Sequence, residues 1–203
     1  MVMDHVIQPG ARVGIESISR SLGVSATPVR EALARLESDG LVVKRSLSGY
    51  RATELLTRHS VEQLFEMRLL LEPPAAALAA ECAGDADLDR IETLVEEMQG
   101  LPDKGDSYAV YGRFAALDQR FHEALAAASG RPLLAAAVER LHTHLHLFRL
   151  SPVTGGSPAT VVEHGRILRA VLRRNPERAG EAMRHHLEQS LHRQLDRYGR
   201  DGV

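Results

Sequence analysis

A mainly α protein in two parts is what the sequence predicts: a small N-terminal unit of helices and one hairpin, then an all-α helical bundle. Three observations point there. Apolar residues recur at helical spacing along most of the 203-residue chain, and 44% hydrophobic with 26% charged residues is a globular balance. Aromatics are only 4% and tryptophan is absent, so the core is built from Leu, Ala and Val, which leans helical. Strand-like patterning is confined to residues 41–53, inside a proposed N-terminal domain of residues 1–54; residues 55–203 form the second.

Composition also excludes classes. No run of 18 apolar residues is present, so no membrane span is expected. The start, MVMDHVIQPG, is not a basic stretch followed by an apolar one, so a secretory signal is not supported. The single cysteine, Cys82, rules out an internal disulfide and fits a reducing cytoplasm. Its place among alanines reads as a small core residue. Net charge is −2. Residues 1–54 carry seven Arg and Lys against six Asp and Glu, and the rest carries 18 against 21. Any nucleic-acid contact must therefore come from locally placed arginines, not bulk charge.

In the first part, Ile15, Ile18 and Leu22 recur at helical spacing and Gly23 ends that helix. Ser25 or Thr27 can cap the next one, with Pro28 tolerated in the first turn, apolar Val29, Ala32, Leu33 and Leu36, and a stop at Gly40. Leu41–Arg45 and Tyr50–Thr53 read as two short strands around the turn Ser46-Leu47-Ser48-Gly49. Helix, tight turn, helix, hairpin is a winged helix-turn-helix layout; the alternative is a generic small α+β unit.

The second part reads as helices near 60–72, 74–83, 86–99, 107–129, 131–150, 157–174 and 176–198. Pro73-Pro74 is expected to break the first pair, and 101–106 and 151–158 to be loops. Ten histidines, most of them after residue 120, ask for an explanation. On one helix Phe114, Leu117, Phe121 and Leu125 mark a buried stripe, with Asp118 and His122 side by side at i, i+4 on or next to it. His164 lies four before Leu168, and His186 three after Met183. One carboxylate and three imidazoles thus point into one interior. Left unpaired they would cost several kcal/mol to bury. A divalent metal resolves that cost, zinc first, with nickel, manganese or iron as alternatives. The alternative for each histidine singly is a satisfied core residue.

Two resemblances sharpen these readings. SATPVREALARLESDGLV and the hairpin as far as Thr53 resemble the DNA-binding head of GntR-type bacterial transcription regulators. The resemblance implies that Ser25, Ala26, Thr27 and Arg30 face the major groove and that Gly49 sits at the wing tip. Arg30 is the best base reader, because a guanidinium bonds guanine O6 and N7 as a fork. Lys44, Arg45 and Arg51 read as phosphate contacts, the alternative being a solvated face. Ala26 stands where many relatives carry arginine. Relatives also have a helix before the segment resembling Ile7-Gln8-Pro9-Gly10. Met1 stands almost there, so the resemblance predicts either a start further upstream or a head short of its first helix, with apolar surface of residues 15–22 and 28–38 exposed.

D-x-x-F-H at Asp118–His122, H-x-x-I-L-x-A-V at His164–Val171 and M-x-x-H-L at Met183–Leu187 resemble the FCD-type effector domain of the FadR-like branch of those regulators. That implies a metal on Asp118, His122, His164 and His186, a small organic acid (a carboxylate) at or near it, and a homodimer on double-stranded operator DNA. Arg68 resembles an arginine often present in this domain and is a candidate for the effector carboxylate; a surface salt bridge with Glu72 is the alternative. His142, His146 and Arg149 share a helical face that could line the same cavity, or be solvated; His185 and His192 are expected outward. A metal-dependent hydrolase is the competing reading. Against it stand the lack of an H-E-x-x-H helix and of a well-placed second carboxylate.

Overall fold

The computed structural model describes residues 1–46, 49–101, 108–150 and 158–198. In the head, helix α1 (Ile15–Leu22) ends at Gly23, whose φ of 66° is open to glycine at little steric cost, and Val24 N–H reaches back to the Ser19 carbonyl. Helix α2 (Ala26–Ser38) starts from Ser25 in an extended conformation, the N-cap position, though its hydroxyl makes no capping bond. The chain turns at Gly40 (φ 71°) into β2 (Val42–Arg45) and β3 (Gly49–Ala52), which pair antiparallel with Val43 opposite Arg51. Leu47 and Ser48 of the expected turn lie outside the described residues.

A third strand, β1 (Arg12–Val13), adds to the other edge of β3, giving the order β1-β3-β2. Sequence reading missed it because two residues carry no alternation. Val13, Val29, Leu33, Val42 and Tyr50 form the head's core. Leu22 and Val24 stay exposed beside an apolar groove of about 390 Å³ that Met1, Val2 and Leu36 also line.

The body comprises α3 (Arg58–Cys82), α4 (Asp85–Gln99), α5 (Tyr108–Ala128), α6 (Pro132–Arg140), α7 (Thr143–Leu150), α8 (Pro158–Leu172) and α9 (Pro176–Tyr198). Three expectations are corrected. Pro73-Pro74 does not break α3, which runs through both prolines for 25 residues. Proline's fixed φ is helical, so its cost lies in lost amides and crowding, and packing against α9 outweighs that. Gly180 of α9 comes so close that a Cβ there would sit 3.3 Å from the Pro73 carbonyl oxygen.

The expected helix 131–150 is instead two, because His142 adopts a left-handed φ of 43° between α6 and α7. Cys82 is exposed at the end of α3, not a core residue. The loops expected at 101–106 and 151–158 fall almost wholly outside the described residues. Phe65, Ile91, Leu94, Phe121, Leu125, Ile167, Met183 and Leu187 are fully buried. Each such side chain contributes about 1.5–3 kcal/mol by leaving water. They lock α3, α4, α5, α8 and α9 around one interior. No helix among the described residues is long and apolar enough to cross a membrane.

Candidate functional site

Four helices bring polar groups into that interior, α3 with Arg68 and Glu72 among them. Helix α5 carries Asp118 and His122, α8 carries His164, and α9 carries His186. One nitrogen from each of His122, His164 and His186 falls within 4.8 Å of the other two. All three rings are buried, His164 completely. Asp118 is half-buried, its Oδ1 3.5 Å from His164 Nε2. Phe121 stacks on His164 with centroids 4.3 Å apart and forms an apolar floor.

Two buried carboxylates brace the imidazoles. Glu72 Oε2 lies 2.6 Å from His122 Nδ1. Burial alone would raise the Glu72 carboxyl, but Arg68 and His122 outweigh it and hold the group well below the usual carboxylate range. Glu163 Oε2 lies 2.8 Å from His186 Nδ1, and Arg193 grips both Glu163 oxygens at 2.8 Å. Burial raises Glu163 too, yet the hydrogen bonds from His186 and Arg193 bring it down to about 2. An ionised Glu163 fixes the proton of His186 on Nδ1 and leaves its Nε2 as a free lone pair.

Neither ring nitrogen of His164 has a hydrogen-bond partner, and the 2.6 Å contact of His122 Nδ1 with Glu72 is an ion pair without hydrogen-bond geometry. Burial, then the neighbouring His186 and His122, push its pKa well below the ordinary value. Burial also depresses His186, against the opposing bond from Glu163. Imidazoles held neutral are the form that ligates a metal. Three buried imidazoles beside a carboxylate, one of them without a hydrogen bond on either nitrogen, are a donor set that a divalent transition metal fits. Glu72 was read from sequence only as a salt-bridge partner of Arg68, and Glu163 was not singled out. Its one signal is a charge beside His164 on an otherwise apolar helix face.

The other expected residues separate into groups. Arg68 is buried rather than on the surface, with Nε 2.6 Å from Glu72 Oε1 and Nη2 3.5 Å from His122 Nε2. His142 lines a cavity of about 20 Å³ with Arg68, Glu72, Asp118, His122 and Thr143. His146 and Arg149 do not reach it. His146 lies against Gly40, and Arg149 donates to Thr53 Oγ1 and to the Thr53 carbonyl, each at 2.7 Å. Helix α7 turns that face toward the head, so a shared face did not mean a shared cavity. The side chain of His144 lies outside the described residues. His185 and His192 are exposed.

In the head, Ser25, Thr27 and Arg30 are exposed at the start of α2, and Ala26 is half-buried. Lys44, Arg45, Gly49 and Arg51 are exposed on the wing. The Lys44 ammonium sits 6.0 Å over the Tyr50 ring, and Arg51 donates to the Gly10 carbonyl at 2.8 Å. Gly49 opens β3 at φ 75°, with nothing near the position a Cβ would take.

Comparison with known proteins agrees with this layout. Residues 1–51 match the family of bacterial regulatory proteins of the gntR type, and residues 63–189 match the FCD domain. The chain is similar to the HTH-type transcriptional regulator LutR of Bacillus subtilis, at 32% identity over 92% of this chain and 93% of that one. It is also similar to YdhC of the same organism, named as an uncharacterized HTH-type transcriptional regulator, at 31% identity over 88% of this chain and 79% of that one. Among solved structures, Escherichia coli McbR/YncC superposes with a TM-score of 0.76 over 97% of this chain and 92% of the other; at 24% identity that likeness shows the fold.

Proposed function

The chain belongs to the GntR family of bacterial transcription regulators and carries an FCD domain, and we propose that it is an effector-responsive cytoplasmic regulator that grips operator DNA as a dimer. His122, His164, His186 and Asp118 would hold a divalent metal, zinc first, with nickel, manganese and iron as alternatives. A metal bound there supplies a Lewis-acidic anchor for the carboxylate of a small organic acid. The protein's own part is orientation: Glu163 and Glu72 hold two imidazoles in place, and Phe121 keeps water from one side of His164.

The observation that carries this reading is the cluster of His122, His164 and His186, with His164 fully buried and no hydrogen bond on either of its ring nitrogens. The hydrolase alternative has no support, since the matching families and relatives are transcription regulators rather than enzymes. On the DNA side, Arg30 reads a guanine edge and Ser25, Ala26 and Thr27 set the approach of α2. Lys44, Arg45, Gly49 and Arg51 follow the backbone along the wing. Two heads on a palindrome would place their α2 helices about 34 Å apart, one helical turn.

Arg68 is committed to Glu72, so an effector carboxylate would have to draw it away. The test is a fluorescence-anisotropy titration against the duplex flanking the chain's own gene, beside a scrambled duplex at the same salt. Tighter binding to the first by at least about a thousandfold is expected of a specific regulator. Equal affinities for both would remove the operator reading.

A further inference from the structure

His142 and Arg149 stand near opposite ends of one short helix and touch different parts of the molecule. His142 is the hinge between α6 and α7. Its backbone is left-handed, its carbonyl accepts from the Leu145 and His146 amides to start α7, and its side chain lines the cavity beside His122 and Asp118. That cavity, at about 20 Å³, has room for about one water molecule. A metal held at Asp118 and His122 would need that space and more for the water or carboxylate on its open positions, so a wall would have to move aside. Arg68 and Glu72 of the 25-residue α3 and four residues of the 21-residue α5 form most of the other walls, both helices being packed into the core, while Val138 and Glu139 of α6 lead into the hinge. His142 and Thr143 sit on a strained two-helix hinge and are the wall that yields.

About 10 Å further along α7 lies Arg149. It is among the most buried side chains of the protein, at 2% exposure. Its fork donates to the Thr53 hydroxyl and carbonyl. The same hydroxyl lies 2.9 Å from the Gly40 carbonyl, to which it donates, and the Thr53 amide donates to Leu41. One turn earlier on α7, the His146 ring packs against Gly40, where α2 has just ended; a Cβ there would lie 3.4 Å from it. Thr53 directly follows β3. One eight-residue helix therefore touches the cavity beside two of the candidate metal ligands, Asp118 and His122, the exit of the DNA-reading helix and the exit of the wing. A guanidinium buried on neutral partners is costly where an apolar side chain would pack. What it supplies is a fixed two-point grip.

We propose that α7 is a lever: displacement of His142 at the cavity is delivered through Arg149 to Thr53 and through His146 to Gly40, and so reorients the head. The lever rests on the reading of the His/Asp cavity as a metal and effector site. Linkage makes it reciprocal, so a head fixed on DNA alters the affinity of the cavity.

The test is hydrogen exchange on the full chain, followed in peptides spanning residues 49–58, with zinc as the probe and zinc binding read separately by calorimetry. Zinc is expected to change exchange in this segment of the wild type by at least about fivefold, the lower end for linked sites. In Arg149→Gln the change should fall below about twofold while zinc still binds. Arg149→Lys, which keeps the charge but cannot donate to both Thr53 oxygens as a fork, gives the same readout should Arg149→Gln not fold. Failure of zinc to bind overturns the site reading and the lever with it. Zinc bound with unchanged exchange at 49–58, or with an equal change in the variants, overturns the lever and leaves the site standing.

Discussion

Glu163 and His186 are joined across α8 and α9 by a 2.8 Å contact between Oε2 and Nδ1, with Arg193 closing on the carboxylate from the far side. This one pair decides which nitrogen of His186 faces the cavity. Glu163→Gln keeps the shape and removes the charge. Metal affinity is expected to drop about 10–100-fold, as for other carboxylates behind a ligating histidine. Calorimetric titration with zinc measures it, and an affinity unchanged from wild type would show that the pair is structural only.

Asp118→Ala tests the oxygen ligand. The variant should purify with less metal than wild type and lose its response to effector, while its DNA-free fold is kept because Asp118 is half-buried. Full metal occupancy of Asp118→Ala would show the assignment of that residue to be wrong.

Acid should unfold the metal-free protein early. His164 and His186 titrate below their ordinary value when folded, so the unfolded chain takes up their protons first. The sign follows: no effect above about pH 6.5, then falling stability as pH drops below it. Each histidine contributes a slope of up to about 1.4 kcal/mol per pH unit. Urea midpoints in chelator at pH 7.5, 6.5 and 5.5 check this. A midpoint flat down to pH 5.5 would count against neutral, desolvated rings.

Arg30→Ala should weaken operator binding by about 1–3 kcal/mol with little change on random DNA, if its fork reads a guanine. Lys44→Ala should weaken both alike and lower the salt slope by about one. A preference for operator that survives Arg30→Ala would end that role for Arg30.

Much of this was legible in the sequence because it is periodic. The spacing of Ile15, Ile18, Val29 and Leu33 placed both head helices, and the stripes around Asp118, His122, His164 and His186 put four groups in one interior. What was not legible depends on long-range packing. No spacing pairs Glu163 with His186, 23 residues on, or Arg149 with Thr53, 96 residues back. The helix through Pro73-Pro74 survives only because α9 packs against it, and the hinge at His142 has no glycine to announce it. His146 and Arg149 were drawn toward the cavity by helical periodicity, which fixes a face but not what that face meets.

On this reading the buried His/Asp site governs the head's grip on DNA. Anisotropy titrations of the duplex flanking the chain's own gene, run at one salt with zinc and again with chelator, address it most directly. Specific affinities are expected to differ at least about fivefold between the two conditions. Specific binding of equal strength in zinc and in chelator, with zinc shown to be bound, would contradict it.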